Sequence, residues 1–244
     1  MKHLTLSSDS EISIDQDSKI SIPDNSHLTL IIKSGSSSSL SLEIGKNCNL
    51  STVILGSTNL ILNQDNFVGE NSTVHSYGIW KKNAEYKITN HLIGKNSSAY
   101  DLHVFSESQN NSLKINSILR HANSNTKGNI SIRGVADDYS RVTLDGMIKI
   151  EKNGSGAESF LTQNVILLSP FSHATANPEL EIENNDVSSR HAASVSQIDE
   201  EKIFYLMSRG ISRADSRKLI VDGFLEAALE KITSKNIRDL LSFD

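Results

Sequence analysis

The stretch from Asn177 to Ser212 reads NPELEIENNDVSSRHAASVSQIDEEKIFYLMSRGIS. Glu179–Glu183 alternates apolar and acidic residues, the period of a strand with one face turned inward. From Asp199 to Arg209 the apolar residues Ile203, Phe204, Leu206 and Met207 cluster as one face of a helix requires. Between them lies a polar segment carrying His191, which reads as a corner. Upstream the chain looks like short strands only, and downstream like helices only. Two architectures meet here, and such a join is a natural place for a site.

Working back toward the N-terminus, short alternating segments recur. HLTL begins at His3, EISI at Glu11, KISI at Lys19, HLTLII at His27 and SLSLEI at Ser39. The series runs on through NLSTVIL at Asn49, EYKITNHLI at Glu85, SLKINSIL at Ser112 and RVTLDGMIKI at Arg141 to SFLTQNVILL at Ser159. Asp, Asn, Ser and Gly punctuate it, as turns require. Regular short strands at this spacing allow a sandwich, a barrel or a β-solenoid. Three features favour the solenoid. The series has no helical interruption. Pro23, Pro170 and Pro178 are the only prolines, so little blocks continuous ladders. Asn and Ser recur beside the strands, where stacked turns can pair their side chains. The serine-rich piece Ser34–Ser39 reads as a flexible turn between strands. A solenoid needs its ends covered, and the helical tail could cover one.

The tail carries clear local signals. Asp199 suits the cap of a first helix, with Glu200 and Glu201 in its favourable first turn. Gly210 suits the left-handed position that ends it. Ser212 with Asp215 forms a capping-box-like start for a second helix. Its apolar face would be Ile220, Phe224, Leu225, Ala228, Leu229 and Ile232. Ser234 would cap a short third helix. The reading is two regions, a β-helical core over 1–195 and a helical region over 196–244. The surplus apolar surface of the tail fits either a partner or the flank of the solenoid.

Composition narrows the function. Of 244 residues, 37% are hydrophobic and the formal net charge is −5. No basic run appears, which argues against nucleic acid as ligand, since phosphate binding needs clustered Lys and Arg. The only cysteine, Cys48, cannot form an internal disulfide or hold an iron–sulfur cluster alone. No apolar run approaches a membrane span and no signal core precedes the strands, so the expected compartment is the cytoplasm, away from membranes. Gly94–Ser97 (GKNS) lacks the earlier glycine of a phosphate loop, Thr89 standing in that place, and reads as a turn. Gly154 and Gly156 read as a loop. Asp137 and Asp138 suggest a β-helical carbohydrate-active enzyme, but neighbours in a strand point to opposite faces. A non-catalytic structural solenoid is the other alternative. The eight histidines show no zinc-motif spacing, and His191 differs from the rest only by position.

One resemblance spans roughly the last third of the chain. ELEI, NDV, the H-A-A-S-V at His191–Val195, QIDEEKIFYLMSRGIS and the Leu-Ile-x-x-Gly-Phe of Leu219–Phe224 resemble, in order and spacing, the C-terminal core of the SufB/SufD family. That family comprises scaffold subunits of the SUF iron–sulfur cluster assembly machinery. The resemblance implies a right-handed β-helix followed by a small helical region, and no catalysis by the chain itself. It implies pairing with a SufB-type subunit or a second copy, as a dimer, and docking of a SufC-type ATPase. Arg209, Gly210, Ile211, Arg213, Arg217 and Phe224 would belong to the docking region. It further implies that His191 handles iron or a nascent cluster at the subunit interface, with Ser172, His173 and Ser189 as weaker candidates beside it. No tightly bound cofactor is expected, only a transient cluster shared with a partner. The departures are specific. SufD-type corners read C-S-H-G-A-T, whereas here stand Ser189, Arg190, His191, Ala192, Ala193 and Ser194. SufB-type corners flank the histidine with glutamates, replaced here by Arg190 and Ala192, and the SufB cysteine falls at Ser172. The longer members' N-terminal helical region has no counterpart. The chain therefore looks closer to SufD, and a partner would have to supply the sulfur ligands.

Overall fold

A computed structural model describes residues 1–34, 37–56 and 59–241. Its strands in chain order are β1 (Lys2–Thr5), β2 (Ser10–Ser13), β3 (Ser18–Ile22), β4 (His27–Ser34), β5 (Ser37–Ile44), β6 (Asn49–Gly56), β7 (Leu60–Val68) and β8 (Thr73–Trp80). They continue as β9 (Ala84–Leu92), β10 (Ser98–Glu107), β11 (Ser112–His121), β12 (Lys127–Ala136), β13 (Arg141–Ile150), β14 (Ala157–Leu167), β15 (His173–Ile182) and β16 (Val187–Gln197). Three helices follow, α1 (Glu200–Ser208), α2 (Arg213–Leu229) and α3 (Lys235–Leu240). Odd strands form one eight-stranded sheet in the order β1-β3-β5 through β15, and even strands form the other. Every strand pair is parallel. Each coil therefore contributes one strand to each layer and steps to the next coil. This is the solenoid expected from the alternation. Of the serine-rich turn, Ser34 and Ser37–Ser39 lie in β4 and β5, and residues 35–36 lie outside those described.

The alternation works because one residue in two points between the layers. Ile20, Leu30, Leu42, Leu50, Leu62, Ile115, Ile132 and Leu144 form part of one continuous buried core. Each such side chain contributes about 1.5–3 kcal/mol on leaving water. Outward positions pair charges between successive coils instead: Glu11–Lys33, Lys19–Glu43, Glu85–Lys114, Lys127–Glu158 and Lys149–Glu181.

One corner is built from asparagine. Asn25, Asn47, Asn71 and Asn96 take positive φ of 61°, 54°, 56° and 58°. The side chain of Asn47 donates to Asn25, Asn71 to Asn47 and Asn96 to Asn71, at 2.9–3.3 Å. Asn tolerates this left-handed conformation and its amide both gives and accepts, so it links one rung to the next from Asn25 to Asn96. Gly94–Ser97 is one rung, a turn as expected, and residues 153–156 form a turn in the same column. Cys48 occupies the place that Ser26, Ser72 and Ser97 hold in neighbouring rungs. Its buried thiol lies 3.1 Å from the Pro23 carbonyl, so it serves the turn.

The interior is not wholly apolar. Tyr86 donates to Gln64, Gln64 to Asn66, Asn66 to Asn90, and Asn90 to both carboxylate oxygens of Asp101 at 2.9 and 3.0 Å. Ser117 adds a bond to Asp101 at 2.6 Å. Burial pushes the Asp101 carboxyl up to about 6, although the bonds from Ser117 and Asn90 pull the other way. Burial also pushes Glu107 up to about 7 and holds His103 down at about 3 and His121 at about 4.

The tail caps as its sequence suggests. Asp199 accepts from the backbone of Glu201 and Lys202, Ser212 from Asp215 and Ser234 from Ile237. Gly210 has φ 89°. The tail does not close an end of the solenoid; it lies along the flank of the even sheet, one of the two placements its surplus apolar surface allowed. Leu225, Ala228, Leu229, Ile232, Ile237 and Leu241 pack on Val53, Ile79, Leu102, Val104 and Val135. Those strand residues face outward, so the flank carries an apolar patch that the second and third helices bury.

Candidate functional site

The last coil, β15 and β16, ends both sheets. Its register with the coil below defines which side chains enter the lumen. Val142, Leu144, Gly146, Ile148 and Ile150 point inward from β13, and above them stand Ala174, Ala176, Pro178, Leu180 and Ile182. Ala157, Ser159, Leu161, Gln163 and Val165 point inward from β14, and above them stand Val187, Ser189, His191, Ala193 and Val195. No further coil covers these residues among those described. Ile182 and Val195 are exposed, and so is His191. The end of the solenoid is an open cross-section with apolar sides and one imidazole.

This corrects the reading of the segment carrying His191 as a polar corner: Val187–Gln197 is strand β16. The segment is a strand because its backbone ladders onto β14, a demand independent of side chain. Its inward positions include Ser, His and Ala, which an uncovered coil tolerates. His191 thus sits within the final strand, directly above Leu161 and not in a join. Ser189, two residues earlier on the same face, pairs with Ser159 at 3.0 Å between hydroxyls. Arg190 points outward over the Phe160 ring at 5.1 Å.

The structure does not bring the other two candidates to His191. Ser172 and His173 lie where β15 begins, while His191 follows the opposite corner, where β15 passes into β16. Ser172 is buried and donates to the Ser169 carbonyl at 2.9 Å. His173 pairs in register with Arg141 and borders a shallow cleft beside the stacked rings of Tyr139 and Phe171, 5.1 Å apart. Among the described residues no group of three or more His, Cys, Asp or Glu is placed to hold a metal ion. His191 is therefore a single donor on an open face.

The carboxylates Asp137 and Asp138 are engaged in structure. Asp137 pairs with Arg217 at 2.7 Å, and Asp138, at φ 50°, accepts from the Gln109 backbone at 2.8 Å. The docking-region residues separate into two groups. Phe224 is held against the solenoid, under Arg133 at 4.9 Å, which also donates to its carbonyl, and Arg217 is tied to Asp137. Arg209, Gly210 and Arg213 are exposed at the elbow between α1 and α2, beside half-buried Ile211. Arg209 lies over Tyr205 and Arg213 pairs with Glu200 at 2.8 Å. Of the first helix's expected apolar face only Ile203 is buried. Phe204, Tyr205 and, on α2, Leu219 are 73%, 57% and 54% exposed. Phe204, Tyr205 and Leu219 are not among the expected docking residues, although three bulky residues in a row at Phe204–Leu206 cannot all face one way on a helix.

The comparisons agree with this geometry. The family model described as SUF system FeS cluster assembly, SufBD core domain, matches residues 6–224. The iron–sulfur cluster assembly protein SufD of Bacillus subtilis is 33% identical over 121 residues, 50% of this chain and 28% of that protein. SufD of Escherichia coli is 30% identical over 104 residues, 43% of this chain and 25% of the relative. SufB of Bacillus subtilis is 34% identical over 106 residues, 43% and 23% respectively. The match thus spans about a quarter of these curated relatives. No helix among the described residues is long and apolar enough to cross a membrane. With two layers of parallel strands, a short helical tail and a family match over most of its length, the chain belongs to the SufBD core family of iron–sulfur cluster assembly proteins.

Proposed function

We propose that this chain is a SufD-like scaffold subunit of iron–sulfur cluster assembly, acting in the cytoplasm without catalysis of its own. The observation that carries the reading is the open last coil. Both sheets end there with unpaired strand edges, which are templates for pairing with another chain. Its cross-section is apolar apart from His191 and Ser189. A SufB-type subunit, or a second copy, seated on this coil would cover Ile182 and Val195 and bring its own groups to His191. A neutral imidazole is a competent iron ligand, whereas serine hydroxyls are poor ones beside thiolates. His191 would then give one ligand to a transient cluster, with sulfur ligands from the partner. The exposed Phe204, Tyr205 and Leu219 around the elbow are the surface offered to a SufC-type ATPase, since aromatic anchors and arginines dominate such contacts.

Co-expression with SufB-type and SufC-type subunits, followed by size-exclusion chromatography, tests this. A complex holding all three chains is expected. Replacing Val195 with Asp should release the SufB-type subunit and spare the ATPase. A chain that stays monomeric beside both partners would overturn the reading.

A further inference from the structure

We propose that Gln163 is the positioning residue for the His191 imidazole; this rests on the reading of the open coil as the functional end. Gln163 is fully buried on the inward face of β14, and neither its amide oxygen nor its nitrogen meets a hydrogen-bonding group. A buried carboxamide without partners costs about 1–3 kcal/mol, so its presence in a core otherwise open to leucine calls for a reason. Gly146, across the lumen, has no side chain; a methyl there would lie 2.8 Å from Gln163 Nε2 and equally close to Leu161 Cδ1, so the glycine leaves space for both side chains under the last coil.

Two register pairs put this amide beside the site. Gln163 pairs with Ala193 and Leu161 with His191, so Gln163 and His191 are diagonal neighbours on one inward face. Diagonal neighbours on adjacent strands lie about 7–8 Å apart at the backbone, within reach of two long side chains. Above the amide stand only Ala193 and, over Gly146, Pro178. The lid between Gln163 and the open end is thus a methyl and a pyrrolidine ring. Rotation of the exposed imidazole brings one ring N–H toward the Gln163 carbonyl oxygen, which accepts it. The other ring nitrogen is then fixed as a lone-pair donor directed out of the coil. Metal-binding histidines commonly have their second nitrogen held by an acceptor in this way. With one acceptor and no charge, Gln163 selects a tautomer without protonating the ring.

The test is nitrogen-15 NMR of the histidine rings in the full chain, His191 being assigned by its loss in His191→Ala. The wild type is expected to show one ring nitrogen predominantly protonated at neutral pH. Gln163→Met should return the tautomer ratio toward that of free imidazole. Gln163→Glu, which restores an acceptor, should recover the bias. If Gln163→Met does not fold, Gln163→Leu removes the same amide and should shift the ratio in the same direction. An unchanged His191 tautomer ratio in the folded variants overturns the proposal. The readout involves no cluster, so His191→Ala leaving cluster yield unaffected would sink the functional reading without touching this one.

Discussion

Replacing Asp101 with asparagine probes the cost of a charge inside the solenoid. Asp101 is 3% exposed, and burial raises its carboxyl from 3.8 to about 6. A raised carboxyl pKa means that the folded chain binds the proton more tightly than the unfolded one. Its contribution to stability is full below about pH 4 and is lost as pH rises through 6. Roughly 2 pKa units at about 1.4 kcal/mol each give a loss of ~3 kcal/mol by pH 8. The substituted carboxamide would carry no charge. Its amide nitrogen, at the position of the oxygen that now accepts from Ser117, would donate to the serine hydroxyl and give up the second Asn90 bond, as the protonated carboxyl does, while its oxygen would still accept from Asn90. Asp101→Asn should therefore match the wild type only below about pH 4, lead it by about half of the full difference at pH 5, and exceed it by up to ~3 kcal/mol at pH 8. For a chain of this size that is a rise in Tm of about 6–12 °C. Thermal melts of both proteins from about pH 4 to 8 measure the difference. His103, His121 and Glu107 titrate alike in both, so the difference between the two curves isolates Asp101. Parallel curves, or a variant weaker at pH 8 than at pH 5, would refute the reasoning.

Three further outcomes are expected. Asn47→Ala removes two links of the asparagine ladder and strains a residue at φ 54°, so it should lower stability by about 2 kcal/mol in chemical denaturation, while Asn47→Gly should cost less. His191→Ala should leave the melt unchanged, because the ring is exposed, but lower cluster yield in a reconstituted complex; unchanged yield makes the ring dispensable. Phe204→Ser with Leu219→Ser, both exposed, should keep the circular dichroism spectrum and weaken ATPase capture at least tenfold, and equal capture would exclude the elbow as the docking surface.

Most of the fold was legible because a strand buried on one side writes its period into the sequence. LSLEI and KISI leave no other reading. The last strand was hidden because SSRHAASV fills inward positions with Ser, His and Ala, and an uncovered coil places no demand for apolar residues there. The flank that holds the tail had a signal: TVIL at Thr52–Leu55 and LHVF at Leu102–Phe105 are nearly continuous apolar runs, the mark of strands covered on both faces. The site was legible only as His191. Gln163 comes under the last coil through register, its pairing with Ala193 thirty residues on, and no local motif marks it.

The coils are not equal. The spacing between paired residues grows from 16 (Lys2 with Ser18) to 32 (Arg141 with His173) and is 30 at the last pair, and strand length grows from 4 residues in β1 and β2 to 11 in β16. In a stack held by nearest neighbours, each interface contributes according to its own length. The molecule is therefore a graded zipper. Amide protons should exchange fastest at the narrow end and slow progressively toward β14. A pulling force applied at the first residue would peel coils singly at rising load, so the end that carries His191 rests on the stiffest part of the stack.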